Sequence, residues 1–445
     1  MFRRVLIANR GEVAARVART CRRLGIETVA VISTVDRGLS WLEGVDKVVC
    51  IGGARSYLDA DAILDVAHAE GVSAIHPGWG FLAENGTFAA RAEAIGVSFV
   101  GPRPSLLRSM GDKVTARQTM KALGVEVIPG SEGVLSGPED ALKLAEEIGY
   151  PVLLKAVSGG GGRGMRRVHS AEEVAPAFEE ARAEALSAFG DGSMYLEKLI
   201  ERGRHVEFQV LGDRSGRIAV LGDRECSLQR RHQKLVEESP SPAVDDGARS
   251  EIAAKVAAAL SALQYESAGT VEMLREPGGA LYFMEMNTRL QVEHTVTELC
   301  CGLDLVEWQL RIAANELLPE QLPQPQGHAI EVRINAEDPT AGFAPSPGTL
   351  ESLRLPTGEG IRVDTHLSAG DVVTPQYDSL LCKVLAHGQD RDEALERLEA
   401  ALQEFEVQGV HTTLDLHRTI LADPGFRAGE YDTGTVESRI VSEVQ

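Results

Sequence analysis

The run Glu285-Met286-Asn287-Thr288-Arg289-Leu290-Gln291-Val292-Glu293-His294 brings acids, amides, an arginine and a histidine into ten residues. Such a set can bind a metal, hold an anion and move a proton. It follows the apolar run Leu281-Tyr282-Phe283-Met284, and a partner run, Thr270-Val271-Glu272-Met273-Leu274, lies upstream. Between them, Arg275-Glu276-Pro277-Gly278-Gly279-Ala280 has the composition of a turn. A four-residue hairpin loop over 277–280 predicts that Glu272 faces Glu285, and period-two geometry then puts Asn287 on the face of Glu285. Facing carboxylates repel unless a cation or a shared proton lies between them. Oxygen ligands of this kind suit Mg2+ or Mn2+, particularly where phosphates complete the shell. The plain alternative is an edge hairpin with solvated acids.

Four further segments carry candidate chemistry. Ser158-Gly159-Gly160-Gly161-Gly162-Arg163-Gly164 joins two strand-like runs. Consecutive glycines let backbone approach a ligand closely, and successive N–H groups make a concave anion site. It is no Walker A loop, because GxxxxGK[ST] is absent and a strand follows. A hairpin flap closing over a triphosphate fits better, with Lys155 at the end of the preceding strand and Lys113 as a second phosphate contact. Glu197-Lys198-Leu199-Ile200 can present backbone groups to a flat base. Gln229-Arg230-Arg231-His232-Gln233-Lys234 is a dense basic run, either a solvated loop or a site for a small anion such as bicarbonate. Arg333 alternates out of an apolar strand and can neutralise an oxyanion.

These groups need elements to hold them. Residues 4–8, 27–33, 74–76 and 97–100 read as strands, and 10–24, 59–70 and 88–95 as helices, which predicts a doubly wound parallel sheet. Ligands bind such a sheet at the carboxyl ends of its strands, where Asn9-Arg10-Gly11-Glu12 and 76–85 fall. No GxGxxG follows the first strand, which argues against a dinucleotide-dependent dehydrogenase. A smaller α/β unit is expected from about 113 to 200, with helices over 139–148 and 171–188 and strands over 151–157 and 165–168. Strands are expected over 205–211, 217–221, 329–335, 348–355 and 361–364, and a helix over 391–404. The proline-rich stretch 318–326 marks a boundary. A chain of 445 residues should form two or three domains, and its net charge of −21 argues against a nucleic-acid partner. No apolar window is long enough to span a membrane, and the six cysteines show no paired framework, so a reducing cytoplasm is expected.

Taken in order, these motifs resemble the biotin carboxylase family, as found in the biotin carboxylase subunit of acetyl-CoA carboxylase, within the ATP-grasp superfamily. The resemblance runs nearly the whole length. It includes Ile7-Ala8-Asn9-Arg10-Gly11-Glu12, His76-Pro77-Gly78-Trp79-Gly80-Phe81-Leu82-Ala83-Glu84-Asn85, Met110-Gly111-Asp112-Lys113, residues 155–165, Arg230 to Lys234, Glu285 to His294 and Arg333-Ile334-Asn335-Ala336-Glu337-Asp338. It implies an N-terminal doubly wound domain over 1–112, an ATP-grasp domain over 113–320 with a mobile glycine-rich lid at about 130–200, and a C-terminal mixed α+β domain over 327–445. Lys113, Lys155, Gly160, Gly161, Gly162, Met165, Glu197, Lys198, Ile200, His205, Gln229, His232 and Leu274 are thereby expected to contact ATP. Glu272, Glu285 and Asn287 are expected to hold two Mg2+ or Mn2+ ions. Lys234, Arg289, Gln291 and Val292 are expected to bind bicarbonate. Glu293 is the expected base, kept ionised by a nearby Arg289, and Arg333 the residue that stabilises the biotin enolate.

The implied reaction is attack of bicarbonate on the γ-phosphate, giving carboxyphosphate. This breaks to CO2 and phosphate, and CO2 then carboxylates the deprotonated ureido nitrogen of biotin. With no Met-Lys-Met attachment motif, the chain is expected to work with a separate biotin carboxyl carrier protein and a carboxyltransferase, and family likeness implies a homodimer. A carbamoyl-phosphate-type ligase or a non-catalytic nucleotide-binding paralogue would lack part of this residue set. The sequence departs from the family pattern at Trp79, where tyrosine is usual, in a shortened 33–57 loop, and in a flap with four glycines.

Overall fold

The computed structural model describes residues 1–158 and 164–440; the glycine run expected to contact nucleotide at Gly160, Gly161 and Gly162 lies outside them. At the N-terminus five strands form one parallel sheet in the order Lys47–Gly52, Glu27–Ser33, Arg4–Ile7, Ala74–His76, Ser98–Phe99. The inner strands read Val5-Leu6-Ile7 and Val29-Ala30-Val31-Ile32, and all of these side chains are buried. Such near-continuous apolar runs belong to a sheet covered on both faces. Strand order reverses between Arg4–Ile7 and Ala74–His76, which opens a crevice at the ends of those two strands. Asn9 bridges it, donating from Nδ2 to the carbonyls of Pro77 at 2.6 Å and Trp79 at 2.7 Å. Gly78 has φ +63°, and a Cβ there would lie 2.8 Å from Asn9 Nδ2. Only glycine allows that approach.

The smaller unit is an antiparallel sheet of Met165–Val168, Val152–Ala156 and Met194–Lys198. Val152, Leu154 and Ala156 face a private apolar core with Val174, Phe178 and Ala181 of the helix Ala171–Phe189. Leu153 and Lys155 alternate onto the opposite, cavity-facing side.

The third assembly is an antiparallel sheet of eight strands. Its order is Leu281–Asn287, Ser267–Arg275, Arg204–Gly212, Ile218–Arg230, Gln233–Ser239, His328–Asn335, Leu380–Gly388, Ile361–Thr365. It continues across the proline-rich stretch: Gln233–Ser239 pairs directly with His328–Asn335, for example Val236 with Val332. The helix Asp246–Ala262 packs on one face through Val256 and Leu260, against Phe208 and Val271.

Several sequence expectations need correction. The hairpin loop is one residue longer than expected, since Arg275 pairs with Leu281, yet Glu272 still pairs with Glu285. A bulge between Glu272 and Met273 takes up the difference and restores the register. The strand expected at 217–221 runs on to Arg230, and Gln229 to Lys234 is no loop but the end of that strand, a tight turn and the start of the next. Arg231 and His232 form the turn at φ +46° and +67°, the left-handed pair that a two-residue hairpin requires. Buried Asp223, Glu225, Glu237 and Glu238 hide the apolar alternation of these strands. The strand expected at 348–355 divides into Gly348–Thr349 and Ser352–Arg354, which pair with different partners.

Candidate active site

A cavity of about 910 Å³ lies where the three assemblies meet. Lys113, Lys155, Met165, Glu197, Lys198, Ile200, His205, Gln229, His232 and Leu274 line it, as do Glu272, Glu285, Asn287, Arg289, Gln291, Val292, Glu293, Lys234 and Arg333. Every expected site residue among those described therefore reaches one space. Its size suits a nucleotide-sized ligand.

The smaller sheet contributes Lys155, whose ammonium donates to Glu197 Oε2 at 2.5 Å. Lys198 turns the other way and donates to the carbonyls of Gly149 and Tyr150 at 2.9 Å. Across the cavity Lys113 meets Glu285 at 3.2 Å. Burial opposes the charge on Lys113, but Glu285 outweighs it and raises the ammonium above its usual range. Two lysines thus reach the cavity from different elements, each able to exchange a carboxylate for a phosphate oxygen.

Glu272 accepts from Asn287 Nδ2 at 2.5 Å and Gln291 Nε2 at 2.8 Å, with His205 Nε2 at 3.0 Å and Lys234 at 3.6 Å. Burial pushes this carboxyl up, and Lys234 with His205 reverses the shift, leaving it well below the carboxylate range. Glu285 is only partly enclosed, with its side chain 36% exposed. The two acids are register partners with oxygen facing one cavity, a donor set that fits a hard divalent cation. Asn287 Oδ1 already accepts from Arg289 at 2.7 Å, so only its second lone pair is free for a metal. His205, Glu207 and Glu272 also place ligand atoms within 4.8 Å of one another. Both oxygens of Glu207, however, are engaged by Arg224 and Lys234.

The base candidate has different neighbours from those expected. Glu293 precedes the helix His294–Cys301 and is 2% exposed. Lys234 donates to its Oε1 at 2.5 Å and Arg333 to its Oε2 at 3.0 Å. Burial raises this carboxyl, but Lys234, Arg333 and Arg224 overcome that and hold it well below the usual range. Arg289, expected to do this, donates from Nε to Glu84 Oε2 of the N-terminal domain at 2.9 Å and acts on Glu293 as a more distant charge. Position decides the outcome: Arg289 extends toward the first sheet, whereas Glu293 turns toward the strands that carry Lys234 and Arg333.

Sequence reasoning missed the groups that hold these side chains. Glu84 accepts from Arg289 and from the backbone N–H of Thr288 at 3.0 Å. Glu237 pairs with Arg333 from the neighbouring strand. Lys383, fully buried, donates to the carbonyl of Val292 at 2.7 Å and meets Glu12 at 3.4 Å. Arg224 and Glu207, also fully buried, support Lys234 and Gln291. A visible signal existed in charged residues inside strand-forming sequence, Asp223-Arg224-Glu225 and Glu237-Glu238, since buried charges need partners.

Comparison with known proteins places this geometry. Residues 1–107 match the biotin carboxylase N-terminal domain, 112–321 the ATP-binding domain of the carbamoyl-phosphate synthase L chain, and 331–438 the biotin carboxylase C-terminal domain. The biotin carboxylase of Pseudomonas aeruginosa is 49% identical over 446 residues, covering 99% of each chain. The small subunit of 2-oxoglutarate carboxylase from Hydrogenobacter thermophilus is 47% identical over 441 residues, 98% of this chain and 93% of its own. Among solved structures, the biotin carboxylase domain dimer of that 2-oxoglutarate carboxylase superposes with a TM-score of 0.95 at 47% identity. It covers 98% of this chain and 97% of its own, and was solved with MgADP, ADP and bicarbonate.

Proposed function

The chain belongs to the biotin carboxylase family of ATP-grasp carboxylases, and from that premise we propose that it carboxylates biotin borne on a separate carrier protein. ATP and bicarbonate are the co-substrates, and carboxyphosphate is the intermediate. The observation that carries this reading is Glu293, a buried carboxylate kept ionised between Lys234 and Arg333, in one cavity with the Glu272–Glu285 pair.

ATP lies with its phosphates between Lys113 and Lys155, which release Glu285 and Glu197 as they take up phosphate oxygens. Glu272 and Glu285, with Asn287, hold two Mg2+ or Mn2+ ions, which when bound neutralise charge on the phosphates. Lys234, Arg289, the Gln291 amide and the Val292 backbone receive bicarbonate. Glu293 removes its proton, and the freed oxyanion attacks the γ-phosphate, displacing ADP and giving carboxyphosphate. Closure of the lid sheet excludes water, which would destroy carboxyphosphate. Decomposition gives CO2 and phosphate, and the phosphate takes the proton from the ureido nitrogen of biotin. Arg333, anchored by Glu237, offsets charge on the ureido oxygen.

The MgADP and bicarbonate in the Hydrogenobacter thermophilus relative support the choice of nucleotide, metal and anion, and its dimeric state supports a homodimer here. We assign the chain to the first half-reaction of acetyl-CoA carboxylase in the cytoplasm, with a biotin carboxyl carrier protein and a carboxyltransferase as partners. Relatives acting in pyruvate and 2-oxoglutarate carboxylases favour those acceptors as the second reading. The test is phosphate release from ATP with bicarbonate, with and without free biotin. Carboxylation of biotin is the expected result. Full-rate turnover indifferent to biotin would favour a different ATP-grasp ligase, and no turnover would refute the assignment.

A further inference from the structure

We propose that Arg224 is the positioning residue of the bicarbonate site, aiming the Gln291 amide and the Lys234 ammonium from outside the cavity. This rests on the reading of that site given above.

Arg224 lies on the strand Ile218–Arg230 and has no exposed surface. A guanidinium has five N–H donors in a rigid planar fork. Here all five are used. Nε donates to Glu207 Oε1 at 2.5 Å. One terminal nitrogen donates to Gln209 Oε1 at 2.7 Å and Thr297 Oγ1 at 3.0 Å. The other donates to Thr270 Oγ1 at 3.1 Å and Gln291 Oε1 at 3.0 Å. The acceptors come from two strands, the helix His294–Cys301 and the segment before it, so the fork fixes these elements against one another.

Two chains of contact lead from it to the cavity. In the first, Arg224 takes the Gln291 oxygen, so the Gln291 amino group must face outward. It donates one hydrogen to Glu272 Oε1 at 2.8 Å and keeps the second for a ligand. A free amide could rotate half a turn and present its oxygen to Glu272 and to an anion, which both repel it. In the second, Glu207 is held by Arg224 on one oxygen and holds Lys234 at 2.7 Å on the other. Lys234 in turn meets Glu293 at 2.5 Å. One buried side chain thus sets both the amide donor and the ammonium that receive the anion. Lysine cannot replace the fork, having three donors on a flexible stem.

The experiment compares wild type with Arg224→Lys in bicarbonate-dependent ATP hydrolysis and biotin carboxylation, with nucleotide affinity measured by calorimetry. The expected result is a KM for bicarbonate raised about 10- to 100-fold, the scale of a displaced binding group, with nucleotide affinity unchanged. A double-mutant cycle with Gln291→Ala adds the readout that a purely structural role would not move. The two effects on bicarbonate KM should be strongly less than multiplicative. If Arg224→Lys fails to fold, Thr270→Val loosens the same edge of the fork and should raise bicarbonate KM several-fold. An unchanged bicarbonate KM, fully multiplicative effects, or equal losses in bicarbonate and nucleotide binding would overturn the proposal. A wild type without bicarbonate-dependent hydrolysis would instead overturn the functional reading on which it rests.

Discussion

Glu293→Gln separates the chemical role of this side chain from its structural one. Glutamine keeps the volume and can still accept from one of Lys234 and Arg333 through its single carbonyl oxygen, but it cannot take the bicarbonate proton. Removing one member of a buried ion pair outright costs about 3–5 kcal/mol. Here neither cation is stranded, because Lys234 keeps Glu207 at 2.7 Å and Arg333 keeps Glu237. The stability loss should therefore fall nearer the value of one charged hydrogen bond, about 1.5–3 kcal/mol. The rate loss should be larger: a positioned proton acceptor supplies about 10²- to 10⁴-fold, or roughly 3–5 kcal/mol of barrier. Because the folded carboxyl lies below its ordinary value, its contribution to stability is present above that value and disappears as pH falls through the folded one. Near neutral pH the wild-type and variant stabilities should thus differ by a constant amount. The measurements are bicarbonate-dependent phosphate release, nucleotide affinity by calorimetry, and thermal midpoint. A folded variant that binds nucleotide and keeps more than about a tenth of the wild-type rate would refute the base assignment.

Glu285→Gln should raise the Mg2+ concentration needed for half-maximal activity by at least about tenfold; an unchanged Mg2+ titration removes Glu285 from the metal site. Burial raises the Glu331 carboxyl to about 8, so the folded protein holds a proton there that the unfolded chain loses above its ordinary value of 4.5. Wild-type stability should accordingly fall with rising pH across that window relative to Glu331→Gln, which carries no charge, and the gap should stop growing above it. Thermal midpoints of the two proteins at several pH values check the sign, and parallel curves refute it. Lys383→Met strands buried Glu12 and frees the Val292 carbonyl, so a destabilisation of about 3–5 kcal/mol is expected by chemical denaturation.

How much of the molecule is legible in its sequence depends on how locally each feature is encoded. The strand Glu27–Ser33 and the helix Arg391–Glu404 match their expected limits because apolar period and helix patterning speak for themselves. The Glu272–Glu285 pairing follows from a loop length one residue short, and it holds because the bulge compensates. Arg230 to Lys234 misleads in the other direction: a two-residue turn of non-glycine residues at positive φ resembles a polar loop in composition. The neighbours of Glu293 are out of reach, since Lys234 and Arg333 are 59 and 40 positions away and meet it only through sheet order. The burial of Arg224 could be suspected from its strand, but its partners are hidden for the same reason.

The eight-stranded sheet has a practical consequence for dissecting the molecule. The proline-rich stretch invites a cut, and expression of the segment that follows it as a free-standing fragment. Such a fragment would carry His328–Asn335 with one long side unpaired, its hydrogen-bonding edge stripped of Gln233–Ser239. An uncovered strand of that kind recruits other chains and aggregates. Swapping carboxyl-terminal regions between relatives therefore means transplanting three strands out of an eight-stranded sheet, and chimeras should be joined at the ends of the smaller unit, whose core is its own.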